Sequence, residues 1–470
     1  MTRINMKLDY SNYISPFGWR YATSEMKKIW SEEYKYRLWR KVWVTLAHAE
    51  YEAGLVTKAE YDDLKKHEQN LDIERLISIE TETKHDVVAG IKEFSEKAKI
   101  GGGKIHLGAT SMDIVDNADM LRIQEALVLI EQQLWSLLQS FSLQIKNYAN
   151  VTCMGYTHLQ PAEPTTVGYR LAFYAQDLLT DLELLTFIKS TIKAKGMKGA
   201  VGTRASFSEI LSGSKFTPEK LDTVVTQKLG ISPALITTQV YSRKYDFFVL
   251  VLLASIASSC AKFAADVRLL QSPGIGEWQE PFGTKQVGSS AMPFKKNPMN
   301  SEKVCSLARF VGQLAPVALE NASLSYLERT LDDSANKRVI IAEGFLALDE
   351  MMLVTQKIIS GLIVYPQRVA HNLVQYGPFS ATETLIILAV KKGADRQEMH
   401  ELMRSISMQA WSDVVAGKPN PMISLLTKNQ QLLKYISESE IKKHMDVSTH
   451  VGDAPKRALQ LAKIIAKKIQ

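Results

Sequence analysis

Residues 247–270 read FFVLVLLASIASSCAKFAADVRLL. The stretch is apolar nearly all round, as expected of a helix enclosed by other helices rather than laid on a surface. Its uncharged part, Phe247 to Ala261, is too short to span a bilayer and contains Ser255, Ser258 and Ser259, so a buried helix explains it better than a membrane anchor. Working outward, Leu127, Ile130, Leu134, Leu138, Phe141 and Ile145 recur at three- and four-residue steps. Leu171, Ala175, Leu178, Leu182, Leu185, Ile188 and Ile192 repeat that stripe. Further helices are expected from about 301 to 322, disturbed by Pro316, and from about 334 to 362. Alternating β-branched runs are few. The expected class is all-α, built on an elongated bundle of five long helices.

Around this core the chain divides into three expected domains. Residues 1–111 read as shorter helices closing after the glycines of 101–103; 112–364 hold the bundle; 365–470, after the Tyr365-Pro366 break, read as short helices with loops at Pro378, Pro419 and Pro421. At 470 residues, 46% hydrophobic and 23% charged, the composition is that of an ordinary globular protein. Cys153, Cys260 and Cys305 are odd in number and far apart, which points to neither a disulfide framework nor a zinc module and favours a reducing compartment. The N-terminal MTRINMKLDY lacks the apolar stretch of a secretory signal, so the cytoplasm is expected. A net charge of +7 suits attraction of a small anion better than binding of nucleic acid, and the C-terminal lysines are spaced as a solvated helix face. There is no repeat and no low-complexity tract.

The chemistry is expected between Pro273 and Pro298, PGIGEWQEPFGTKQVGSSAMPFKKNP, a loop too long and too irregular to be a plain connection. Gly288 would let backbone approach a ligand, and the amides around Ser289 and Ser290 would form an anion-binding nest. Lys295 and Asn297 are then suited to carboxylate oxygens. Gly-Ser-Ser alone would be an ordinary surface loop.

The whole string GSSAMPFKKNP from Gly288 resembles the GSSxMPxKxNP signature of the fumarase/aspartase superfamily. Arg20-Tyr21, KHDVVAG from Lys84, HLGATS from His106, THLQPAEPTTVG from Thr157, QVYSRK from Gln239 and LERTLDDSANKR from Leu327 resemble the adenylosuccinate lyases in particular, most closely the eukaryotic-type enzymes. Beyond Tyr365 the resemblance is weaker. It implies a homotetramer whose active sites are shared between subunits, and elimination of fumarate from succinylated purine nucleotides through a carbanion. The sequence has no EF-hand loop, Walker string or HExxH, and Gly274-Ile275-Gly276 lacks the third glycine of a dinucleotide fingerprint, so no metal or cofactor is expected, and the short apolar run leaves no membrane partner. By the resemblance Ser289 is the base, His158 the acid, Lys295 the activating cation and His85 an assistant. Substrate binding is expected at Arg20, Tyr21, Lys84, Asp86, Thr110, Ser111, Thr157, Gln160, Gln239, Ser290, Asn297, Lys303, Arg329, Ser334 and Arg338.

Two positions depart from the family: Lys84 and Lys303 stand where arginine is usual, keeping the charge but losing the bidentate fork. Asp332 and Asp333 precede a helix, and a capping role is expected for one of them. His106 is expected only to support the turn before Thr110, and the remaining histidines to be structural. Argininosuccinate lyase and a non-catalytic helical scaffold are the rival readings. RTLDDSANKR and Arg20-Tyr21 speak against the first, intact His158, Ser289 and Lys295 against the second.

Overall fold

The computed structural model describes residues 11–469, and of residue 469 its backbone alone. Helix dominates. The long elements are Glu32–Glu52, Ser111–Tyr148, Val167–Thr191, Lys244–Gln271 and Asp332–Ser360. Every residue of the two expected stripes is buried, which is what three- and four-residue spacing achieves when the stripe faces other helices.

The expected helix from 301 to 322 is two helices, Met299–Val311 and Leu314–Leu324. The break falls at Gly312-Gln313, ahead of Pro316. The proline then lies in the first turn of the second helix, where the backbone N–H it lacks would have had no partner. Pro378 is not in a loop: it lies near the end of the Pro366–Ser380 helix, which stops two residues later. Lys244–Gln271 is by length and composition apolar enough to cross a membrane. Its residues Val249, Leu250, Leu252, Leu253 and Ile256 are, however, enclosed by protein.

By contacts the chain forms two compact units. The first comprises Met1–Gln133, Asp181–Ser258 and Ser306–Leu353. Here the Glu32–Glu52 helix packs on Pro218–Leu229 and Lys58–His67, with Trp39 and Trp43 edge to face at 6.3 Å. At Gly344 a Cβ would press on Leu314, Leu250 and Leu253, so this glycine permits close packing of the Asp332–Ser360 helix.

The second unit comprises Leu134–Thr180, Ser259–Cys305 and Val354–Gln470. It holds an antiparallel hairpin, Thr152–Thr157 with Gln160–Thr166, against which the Pro366–Ser380 helix packs. Short helices after Ala381 enclose an apolar core of Leu385, Met399, Met403, Met422, Leu426 and Ile441. Trp278–Gln279 pairs with Ile363–Val364 and fixes the start of the long loop.

Candidate active site

The first unit contains a cavity of about 510 Å³. Eight of the expected site residues line it: Lys84, His85, Asp86, Ser111, Gln239, Arg329, Ser334 and Arg338.

The Lys84-His85-Asp86 corner is made by the junction of two helices. Lys84 ends Ile73–Thr83 in the left-handed conformation, φ 56°, giving its N–H to the Glu80 carbonyl. His85 then caps Asp86–Lys97, its Nδ1 accepting from the Val88 amide at 3.4 Å. That contact leaves Nε2 to carry the proton of the neutral ring. Arg338 donates to Asp86 at 3.2 Å.

Ser111 opens the Ser111–Tyr148 helix, and the turn before it is pinned from beneath. The buried Asp113 accepts from the Thr110 amide at 2.8 Å, from the amides of Lys198 and Gly199, and from the Lys195 ammonium. Trp43 Nε1–H donates to His106 Nδ1 at 3.1 Å, and burial pushes the His106 pKa down to about 4, so the ring stays neutral as an acceptor. His106 thus supports the turn, as its sequence position led one to expect.

Several charged lining residues were not singled out by sequence reasoning: Lys35, Asp119, Arg122, Arg243 and Lys337. Arg243 and Lys337 stand inside the motifs QVYSRK and LERTLDDSANKR, which is the one signal that pointed toward them. Asp333 is also more than a cap. Its buried carboxylate accepts from Arg243 at 2.6 Å and Arg329 at 3.3 Å, while Asp332 is exposed at the first helical position. Burial opposes ionisation of Asp119, but Lys337 and Arg122 beside it hold its carboxyl below the usual range. Among the described residues, Lys84 is the lining cation with no carboxylate in ion-pair reach; Lys35, Arg122, Arg243, Arg329, Lys337 and Arg338 all have one.

Arg20 is exposed beside the Trp19 ring, and neither it, Tyr21 nor Thr110 lines the cavity. Ala22, next to them, has φ 67°, and its amide and that of Thr23 are tied to Glu350 and Asp349.

The second unit carries Thr157, His158, Gln160, Ser289, Ser290, Lys295, Asn297 and Lys303. His158 and Leu159 form the two-residue hairpin turn, with φ 53° and 60°. Positive φ at both centres has the handedness that matches strand twist, yet neither residue is glycine or asparagine, so the tip is strained. Thr157, His158 and Gln160 are exposed there.

In the long loop Ser289 Oγ accepts from the amides of Ala291 at 3.3 Å and Met292 at 3.1 Å, so these two amides are turned onto the serine's own hydroxyl. Asn297 Nδ2 donates to the Gly288 carbonyl at 2.8 Å, so it serves the loop itself. The loop's far end is anchored by the buried Glu280, which accepts from the amides and side chains of Asn300 and Ser301. Between the anchors, Val287 and Phe294 are 71% and 81% exposed. Lys295 is exposed and Lys303 half-buried on Met299–Val311.

A family model described as Lyase matches residues 19–312, and one described as Adenylosuccinate lyase C-terminus matches 378–458. The second match lies in the region where the motifs alone carried little. Adenylosuccinate lyase of Saccharomyces cerevisiae is 39% identical over 98% of this chain and 95% of its own length. That of Schizosaccharomyces pombe is 38% identical over 96% and 94%, and that of Pyrococcus abyssi 36% over 91% and 93%. Among solved structures, a fumarate lyase from Mesorhizobium sp. BNC1 superposes with a TM-score of 0.83 at 21% identity, covering 94% of this chain and 98% of its own. The 3-carboxy-cis,cis-muconate lactonizing enzyme of Pseudomonas putida gives 0.82 at 22%, covering 95% and 98%, so the fold is shared across different chemistries.

Proposed function

The chain belongs to the adenylosuccinate lyase family, and from that premise we propose that it is a C–N lyase eliminating fumarate from adenylosuccinate to leave AMP, in purine nucleotide biosynthesis. A second substrate, the succinylated aminoimidazole carboxamide ribotide, belongs to the same proposal. The observation that carries the reading is near-full-length identity of 39% to an adenylosuccinate lyase together with an unbroken His158, Ser289 and Lys295 set.

The reaction needs a base at the carbon beside a succinyl carboxylate and an acid at the leaving nitrogen. Ser289 is assigned the base and His158 the acid. Serine is a weak base, so its alkoxide must be stabilised. The two amides that already point at Ser289 Oγ supply part of that stabilisation, and the Lys295 charge the rest. Ser289 takes the proton, the electron pair passes into the carboxylate as a dianionic intermediate, the C–N bond breaks, and His158 protonates the departing amine. In the cavity Lys84 meets the phosphate as an uncommitted cation, with Ser334 and Arg338 one helical turn apart beside it. Ser111 and Gln239 take the remaining polar groups, and His85 assists the phosphate or the acid. Arg20, Tyr21, Thr110, Thr157, Gln160, Ser290, Asn297, Lys303, Asp86 and Arg329 complete the binding set. A homotetramer sharing its sites between subunits, at work in the cytoplasm, belongs to the same reading; three cysteines without disulfides support the compartment.

The test offers the purified protein adenylosuccinate, argininosuccinate, malate and aspartate separately and measures fumarate. Release from adenylosuccinate alone is expected; release from argininosuccinate instead would transfer the chain's activity to that branch. Ser289→Ala and His158→Ala should each cost on the order of 100- to 10,000-fold in kcat with an unchanged fold by circular dichroism. Near-parent turnover of Ser289→Ala would move the base to Lys295 or His85.

A further inference from the structure

One buried guanidinium ties together segments that the mechanism above uses separately. Arg243 lies one residue before the Lys244–Gln271 helix and is 4% exposed. Its Nε donates to Asp333 Oδ2 at 2.6 Å and its Nη1 to Asp116 Oδ1 at 3.0 Å. The same Asp333 oxygen accepts from Arg329 Nη1 at 3.3 Å. The other oxygen of Asp116 accepts the Tyr241 amide at 2.9 Å, two residues after Gln239. Lys337 closes the network, reaching Asp119 at 2.7 Å and Asp116 at 3.9 Å.

The fork of a guanidinium has fixed directions, so two carboxylates bonded at its different edges are fixed relative to each other. Arg329 hangs from the oxygen that Arg243 already holds. Asp333 Oδ1 is buried and without a hydrogen-bond partner, so it offers the carboxylate no second anchor. We propose that Arg243, held on Asp116, is a positioning residue of the lyase site, which sets the direction of Arg329 through Asp333 without itself touching substrate. This rests on the lyase reading above. A lysine at 243 would keep the charge but reach only as a point donor, so the two carboxylates would lose their mutual orientation.

The experiment is steady-state cleavage of adenylosuccinate with AMP as product inhibitor, for the parent, Arg243→Lys, Arg329→Ala and the double variant. Arg243→Lys should raise KM and weaken AMP inhibition by about tenfold, with kcat within about threefold and Tm near the parent's. In the Arg329→Ala background the same substitution should add less than about twofold, since the group it orients is gone. A multiplicative double variant, or a loss confined to kcat, overturns the proposal. Should Arg243→Lys fold poorly, Asp333→Asn weakens the same link by removing its charge and half its acceptor capacity while leaving Arg243 on Asp116. It must reproduce the KM shift, and an unchanged KM overturns the proposal equally. A parent protein that releases no fumarate would instead overturn the lyase reading itself.

Discussion

Glu50 is 1% exposed on the Glu32–Glu52 helix, and neither carboxylate oxygen has a hydrogen-bond partner. Burial pushes its pKa up to about 8, with Lys104 only partly opposing. The site also lies in the last turn of its helix, where the backbone partial charge disfavours an anion. A carboxyl raised in the folded state binds more protons there than in the unfolded chain, so its contribution to stability is complete below the unfolded value and is lost as pH rises toward 8. Glu50→Gln removes that loss. Between pH 5 and pH 7.5 the stability difference should move in favour of the variant by on the order of 3 kcal/mol, read as the gap between urea midpoints at the two pH values. A gap independent of pH would show that Glu50 ionises freely in the folded protein. Such a residue is invisible in the sequence, because helical periodicity marks Glu50 no differently from the exposed Glu52. The same limit hid the cavity's ion pairs. Asp116 and Arg243 are far apart along the chain, and nothing in their spacing reveals that burial brings them to 3.0 Å.

Among the elements, the long helices were legible because burial of one stripe imposes a period on the sequence, and both stripes are buried throughout. The hairpin at 152–166 was not, because Gly155, Pro161 and Pro164 interrupt its alternation and its turn lacks the residues that tolerate positive φ. It is held from outside, by the Pro366–Ser380 helix and by Thr152 donating to the Ser448 carbonyl at 2.9 Å. The signature loop was legible by composition, and Gly288 is the most tightly enclosed of its glycines. A Cβ there would run into the Lys295 carbonyl oxygen and press on the Phe282 ring. Gly288→Ala must therefore shift the segment that carries Ser289 and Lys295. Since displacement of a reacting group by about 1 Å can cost on the order of 100-fold, kcat should fall at least that far. Tm should move by only a few degrees, because the loop's tip is exposed and its anchors at Trp278 and Glu280 are untouched. Full activity in Gly288→Ala would deny the loop its place in the chemistry.

On the scale of the whole molecule, the cation-lined cavity lies in the first unit while His158 stands at an exposed hairpin tip and Ser289 on an exposed loop in the second. Large apolar side chains are exposed at the hairpin tip, on the signature loop and on the segment before the Asp332–Ser360 helix: Leu159 is 69% exposed, Phe294 81%, Leu327 90% and Leu331 73%. A chain does not usually leave such groups to water beside its site unless another surface covers them. We therefore expect each active site to draw His158 and Ser289 from different subunits of a tetramer. Inactive His158→Ala and inactive Ser289→Ala proteins, dissociated, mixed equally and reassembled, provide the test. A site that takes its histidine from one chain and its serine from another receives both intact in about a quarter of random combinations, so activity should return to roughly that fraction of the parent. A site built within one subunit can never recover, because every chain carries a lesion. Mixing without dissociation should stay inactive, which separates subunit exchange from contamination by parent enzyme. If exchange is demonstrated by mass-tagged subunits and no activity returns, the shared site is rejected, and association serves only to cover the exposed apolar surface.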